Sequence, residues 1–144
     1  MSTTPQPPPR LGYLLKHSYL RHAEQLSEAL SPLGVDGREL AVLRVLDTDE
    51  PSSQAEAAKR LGLDRTTMVG LVDTLEARSL VARKPHAADR RRNVVALTRR
   101  GQRVLAEGTR IGDAVEDRFL SGLSATDARR LRSILGALLG DQPA

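Results

Sequence analysis

The chain has 144 residues, enough for one domain with a hydrophobic core that needs no metal or disulfide. It has no cysteine, which excludes disulfide scaffolds, thiolate metal sites and thiol redox sensing, and only 2% aromatic residues, so the core is aliphatic and favours helices. The net charge is +4 and it is concentrated: Arg83 to Arg103 holds eight Lys/Arg and a single acid, Asp89, the footprint of a nucleic-acid or anionic-surface partner.

Residues 1–9 read as a disordered leader, because Pro7, Pro8 and Pro9 resist helix. This stretch lacks the apolar segment of a secretory signal, and no apolar run approaches the ~18 residues of a membrane span. The chain therefore reads as cytoplasmic, with no membrane partner.

From about Arg10 to Leu30, Leu11, Leu14, Leu15, Ser18, His22, Leu26 and Leu30 recur at helical spacing, and Pro32 and Gly34 end the run. Polar groups interrupt this stripe, which suits a subunit interface or a cavity wall. Tyr13, His17 and Arg21 recur every four residues on the same helix. They offer a phenol, an imidazole and a guanidinium, either to an anionic effector or to ordinary interface packing. His17, His22 and His86 do not form a metal-ligand set, so neither metal nor cofactor is expected.

Asp36 with Glu39 three residues later has capping-box spacing and opens a second helix through Leu40, Leu43 and Leu46. Ser53 and Glu56 repeat the pattern for a short helix, Gln54 to Leu61, which Gly62 can stop. Asp64 then caps a helix from Arg65 to about Arg78. Two short helices joined through a glycine turn are the mark of helix-turn-helix. On the second of them Met68, Leu71, Val72 and Leu75 share one face. Thr66, Gly70, Asp73 and Ala77 occupy the other, flanked by Arg65, Thr67 and Val69. Small residues there let the helix approach another surface closely.

Leu80 to Arg83 and Asn93 to Leu97 predict two short strands around a basic tip, Lys84 to Arg92. Thr98 caps a long helix, Arg99 to Leu120, striped by Val104, Ile111, Val115 and Phe119, with Gly108 either close-packed or kinking it. Ser124 and Asp127 open a last helix bearing Leu131, Ile134, Leu135, Leu138 and Leu139. The fold expected is mainly α with a small β-hairpin. Both ends of the chain carry apolar stripes that one small core cannot accommodate, so the termini are expected to pair with a second copy.

The segment Leu75-Glu-Ala-Arg-Ser-Leu-Val-Ala-Arg83, and Asp89-Arg-Arg-Arg-Asn-Val-Val-Ala-Leu-Thr98 followed by Gly101, resemble the MarR family of bacterial regulators from about Leu11 to Leu139. Ser79 departs from the family pattern, which usually has glycine there. The resemblance implies a winged helix-turn-helix lobe over 36–98 and a helical dimerisation region over 10–35 and 99–144. It implies a homodimer on double-stranded DNA with a pseudo-palindromic operator, and a repressor released by an anionic or phenolic small molecule. The sequence offers no nucleophile elbow, phosphate-cradling glycine loop, metal-ligand cluster or acid/base pair, so an enzyme is not expected.

The DNA contacts expected are Ser53 and Gln54 at a helix N-terminus, Arg65, Thr66, Thr67, Val69 and Gly70 on the recognition helix, and Lys84, Arg90, Arg91 and Arg92 on the wing. By family analogy Asp89 braces the wing and Arg91 reaches the minor groove, where a narrow groove attracts arginine. Arg83 is expected to brace the wing base, and Asp73 either accepts from a base or pairs with an arginine. Two rivals remain: a non-specific architectural DNA binder, which needs widely spread charge and apolar wedges, and a winged-helix protein-interaction module, which shows no salt-dependent DNA binding.

Overall fold

The computed structural model describes residues 7–140. Of the expected leader, residues 1–6 lie outside that range, and Pro7–Pro9 are exposed coil. The elements are α1 (Leu11–Leu30), a 3-10 turn (Ser31–Leu33), α2 (Gly37–Leu46), α3 (Gln54–Leu61), α4 (Arg65–Ala77), β1 (Val81–Pro85), β2 (Asn93–Leu97), α5 (Arg99–Phe119) and α6 (Ala125–Leu139).

Each helix from α2 onward starts at a side-chain cap. Asp36 and Ser53 form full capping boxes with Glu39 and Glu56. Asp64, Thr98 and Ser124 accept from the backbone N–H three residues on. These caps satisfy amides that a helix start would otherwise leave unpaired. Gly62 stops α3 at φ 64, a left-handed conformation that glycine adopts without steric cost.

The core centres on α2. Leu40, Val42, Leu43, Val45 and Leu46 are all buried, against Ala57 and Ala58 of α3, Met68, Val72 and Leu75 of α4, and Val81 and Val95 of the hairpin. Leu30 of α1 and Leu105 of α5 belong to the same cluster. The lobe and the flanking helices therefore share one apolar core, and no break in packing separates them at residues 36 or 98.

β1 and β2 pair antiparallel, with Val81 opposite Leu97 and Pro85 opposite Asn93. β1 starts one residue later than expected and runs two further, through Pro85, which the end of an edge strand tolerates because it needs no ladder donor. Ser52 bridges Val95 and extends the hairpin toward α3. Where β2 meets α5, Gly101 is buried against the Leu80 carbonyl, and a Cβ there would overlap that oxygen. At Gly108 a Cβ would come within 2.5 Å of Leu40, so that glycine is close-packed on α2.

The ends of the chain are different. Leu11, Leu14, Leu15 and Leu20 of α1 and Ile134, Leu138 and Leu139 of α6 are exposed, and α6 has no buried residue at all. The one ion pair from α6 to another helix among the described residues is Arg132 to Glu116 at 2.9 Å.

Candidate nucleic-acid interface

Asp64 sets the start of α4. Its carboxylate accepts the Thr67 N–H at 2.8 Å and the Thr67 hydroxyl at 2.7 Å. These bonds, the backbone one first, hold the Asp64 carboxyl below its ordinary range. Of the expected contacts on this helix, Arg65, Thr66 and Gly70 are exposed, and Thr67 and Val69 are half-buried. The Thr67 hydrogen is already donated, so toward DNA its oxygen can only accept. Nothing lies within 4 Å of a Cβ built on Gly70, which places that position on open surface.

Ser53 is less available than its position suggests. Its N–H donates to Glu56 at 2.7 Å and its hydroxyl oxygen accepts the Glu56 N–H at 3.2 Å. The Ser53 N–H, first, and the Ser53 hydroxyl beside the carboxylate lower the Glu56 carboxyl, with Arg92 and His86 adding to the effect. A phosphate at this helix end therefore meets a carboxylate already in the capping position. Gln54 accepts from Arg83 at 3.3 Å.

Arg83 sits at the base of the wing and ties three elements together. It donates to Glu76 at 2.7 Å and Asp73 at 2.6 Å, both on α4, and to Gln54 on α3. Its backbone N–H also donates to Glu76. Partial burial works against the guanidinium charge, and the two carboxylates outweigh that burial and raise its pKa. Of the two roles open to Asp73, the geometry shows the ion pair, which neutralises the one acid on the outer face of α4.

At the wing tip the Asp89 carboxylate accepts the Arg91 N–H at 3.0 Å, and the Asp89 carbonyl accepts the Arg92 N–H at 3.0 Å. Asp89 thus acts on the turn backbone rather than through an ion pair. His86 closes the turn from the other side, donating its N–H to the Arg92 carbonyl. Lys84, Arg90, Arg91 and Arg92 are all exposed. None is ion-paired among the described residues.

These parts meet at a cleft of about 620 Å³ between α3, the start of α4 and the wing. Ala55, Ala58, Leu63 and Met68 form its floor, Lys59, Arg65 and Arg92 ring it, and no carboxylate lines it. Lys59 was not among the expected contacts, although it lies four residues after Ala55 and so shares its helical face.

A second cleft, of about 630 Å³, lies between α1, α2 and α3. Tyr19, His22 and Arg38 stand around an apolar surface that includes Leu26, Leu61 and Leu63. The expected effector residues are elsewhere. Tyr13 and His17 stack with ring centroids 4.0 Å apart on the exposed half of α1, and Arg21 is exposed beside them. The inward face of α1 is set by His22, Ala23, Leu26 and Leu30, while Tyr19, 69% exposed, stands at the mouth of the cleft.

Comparison with known proteins finds one family model, described as MarR family, matching residues 33–92. The transcriptional regulator HosA of Escherichia coli is 37% identical over 119 residues, 82% of this chain and 83% of that protein. The transcriptional repressor NicR of Pseudomonas putida is 34% identical over 96 residues, 67% of this chain but only 61% of NicR's length. Among solved structures, the repressor CouR bound to a 23-mer DNA duplex superposes with a TM-score of 0.84 at 31% identity, covering 90% of this chain and 92% of that one. CouR of Rhodococcus jostii has also been solved with p-coumaroyl-CoA, and superposes at a TM-score of 0.79 and 30% identity over 93% and 94% of the two chains.

Proposed function

This chain belongs to the MarR family of transcriptional regulators, and from that premise we propose that it is a cytoplasmic homodimeric repressor, without enzymatic activity, that an anionic aryl ligand releases from its operator. The observation that carries the DNA-binding part is the acid-free cleft ringed by Lys59, Arg65 and Arg92. Cations that neutralise phosphates supply most of the salt-sensitive affinity for a duplex. The exposed start of α4 beside them reads bases in the major groove, and Gly70 lets the helix approach closely. Arg90 and Arg91 extend the contact into the neighbouring minor groove. The apolar faces left exposed on α1 and α6 form the dimer contact, and a two-fold dimer calls for a pseudo-palindromic site.

The effector part rests on the second cleft. Arg38 supplies a cation, Tyr19 and His22 supply hydrogen bonds, and Leu26, Leu61 and Leu63 supply apolar area. That combination suits a ring bearing a carboxylate.

Fluorescence-anisotropy titration against the chain's own upstream intergenic DNA, with a scrambled duplex and a salt series, tests the reading. Tight binding to the upstream duplex alone, weakening as salt rises, is the expected result. Equal binding to both duplexes favours an architectural role, and no binding at low salt favours a protein-interaction module.

A further inference from the structure

Glu39 is the one charged residue buried in the described core, at 9% exposure, and neither cleft uses it. One carboxylate oxygen accepts the Asp36 N–H at 2.9 Å, and the other meets Arg78 Nη2 at 2.6 Å. Arg78 is the residue that ends α4, and its Nη1 donates to the Gly34 carbonyl. One guanidinium thus pins the corner between α1 and α2 to the C-terminal end of the recognition helix. The same corner walls the second cleft, through Asp36, Gly37 and Arg38.

One unfavourable feature lies in the clasp itself, and a second lies beside it in the turn that ends α4. Arg78 Nε is buried with no acceptor, and a buried donor left unpaired raises the energy of the arrangement that buries it. The next residue, Ser79, has φ 58, the one non-glycine residue in the left-handed region among those described. A side chain held there persists only where its surroundings enforce it. The α4 end bonds and Thr98 hold Ser79 in that conformation, whereas a loosened clasp lets Arg78 Nε find an acceptor.

We infer that the Glu39–Arg78 pair is a positioning device that sets the angle of the recognition helix and through which an occupant of the α1–α2–α3 cleft alters DNA affinity. The inference rests on the effector reading of that cleft. An anion seated by Arg38 stands against the Asp36 carboxylate that caps α2 and repels it, and the Asp36 N–H is held by Glu39. The Glu39 carboxylate moves with it and loses its alignment on Arg78. The C-terminal end of α4 is then freed from the corner while Arg83 still holds Asp73 and Glu76 to the wing. The bonds from Asp36 to Glu39 and from Glu39 to Arg78 thus link cleft and recognition helix in one unbroken chain of contacts.

The test fills the cleft by mutation, so that it does not depend on knowing the ligand. Ala41→Phe on α2 and Ala23→Phe on α1 enter from facing walls, both at half-buried positions. Each is measured in the full chain with and without Arg78→Gln, for affinity to an operator duplex recovered by selection from random DNA and for melting temperature. The expected weakening on filling is about 10- to 50-fold with Arg78 present. With Arg78→Gln it falls to less than about threefold, and Arg78→Lys restores most of the response. A merely structural Arg78 lowers the melting temperature but leaves the filling penalty equal in both backgrounds, and that additivity overturns the proposal. Unchanged affinity in folded Ala41→Phe and Ala23→Phe proteins overturns it as well. Calorimetry with benzoate on the wild type is scored separately: no binding rejects the effector reading, while the mutant cycle still decides the clasp.

Discussion

The winged lobe and the two chain termini draw on the same aliphatic residues and end in opposite states. In the lobe, Leu43, Met68, Val72 and Leu75 are at or below 1% exposed. In α6, Leu138 and Leu139 are about 70% exposed (68% and 72%). The contrast is not one of helix quality, since α3, α4 and α6 all have side-chain caps. It lies in what each apolar face meets. The lobe closes on itself within one chain, and the termini present a face that only a further surface can bury.

The sharpest way to break the lobe is Gly101→Ala. The Thr98 hydroxyl accepts the Gly101 N–H and donates to the Ser79 carbonyl, and the added methyl overlaps the Leu80 carbonyl, which is backbone and cannot swing aside. The expected cost is about 3 kcal/mol or more. Urea unfolding with an unchanged midpoint would show that the joint is looser than drawn. The termini break differently. Leu138→Arg with Leu139→Arg is expected to leave the unfolding of the lobe intact and to abolish the dimer in sedimentation. Operator affinity then falls by about 100-fold, ~2.8 kcal/mol. A dimer that survives both substitutions would place the subunit contact elsewhere than α6.

Gly70→Leu separates binding from folding inside the lobe. No atom obstructs the new side chain, and glycine is itself a poor residue within a helix, so stability is unchanged or slightly raised. Operator affinity is expected to fall by at least about tenfold, ~1.4 kcal/mol, as the side chain holds α4 away from the bases. Wild-type affinity in this variant would mean that α4 does not enter the groove by this face. Ser79→Gly acts in the opposite direction. At φ 58 the serine is in a conformation that glycine adopts freely. A gain of roughly 1 kcal/mol is expected in thermal or urea unfolding, and a loss would show that the serine side chain contributes more than its backbone costs.

Local features of this fold were legible in the sequence, and long-range ones were not. The caps at Asp36, Ser53, Asp64, Thr98 and Ser124 each involve residues within three positions of one another, and the expected helix starts match the observed ones there. The helix-turn-helix and the hairpin follow from such short-range signals. The arginine partner of Asp73 and the clasp between Glu39 and Arg78 join residues 10 and 39 apart, and nothing in local spacing names such a pair. The α1 ladder of Tyr13, His17 and Arg21 shows a different limit. His22 and Leu26 lie on the same helix at the same four-residue spacing, and only packing on α2 decides which set faces inward. Lys59 was readable from its spacing to Ala55 but not from its chemistry, because a lysine on a short helix is ordinarily solvated.

The smallest expected effect compares the lobe's caps with the rest of the molecule under acid. Glu56 and Asp64 have folded pKa values below their ordinary values of 4.5 and 3.8, chiefly because Ser53 and Thr67 backbone N–H groups donate to the charged forms. A carboxylate with a lowered folded pKa contributes stability that is fully present above its unfolded pKa and is lost as pH falls through the folded one. Glu56 begins to lose its contribution near 4.5 and Asp64 near 3.8, and both losses continue below those values. Glu56→Gln keeps a capping-box side chain, and Asp64→Asn keeps a good N-cap, while neither replacement titrates. Thermal melts from pH 6 to pH 3 are therefore expected to fall less steeply below about 4.5 in the double variant than in the wild type. If the two acid limbs coincide, these caps do not carry the acid response, and it lies with carboxylates outside the helix-turn-helix, of which Glu107, lowered by its hydrogen bond to Arg110 on α5, is the first to test.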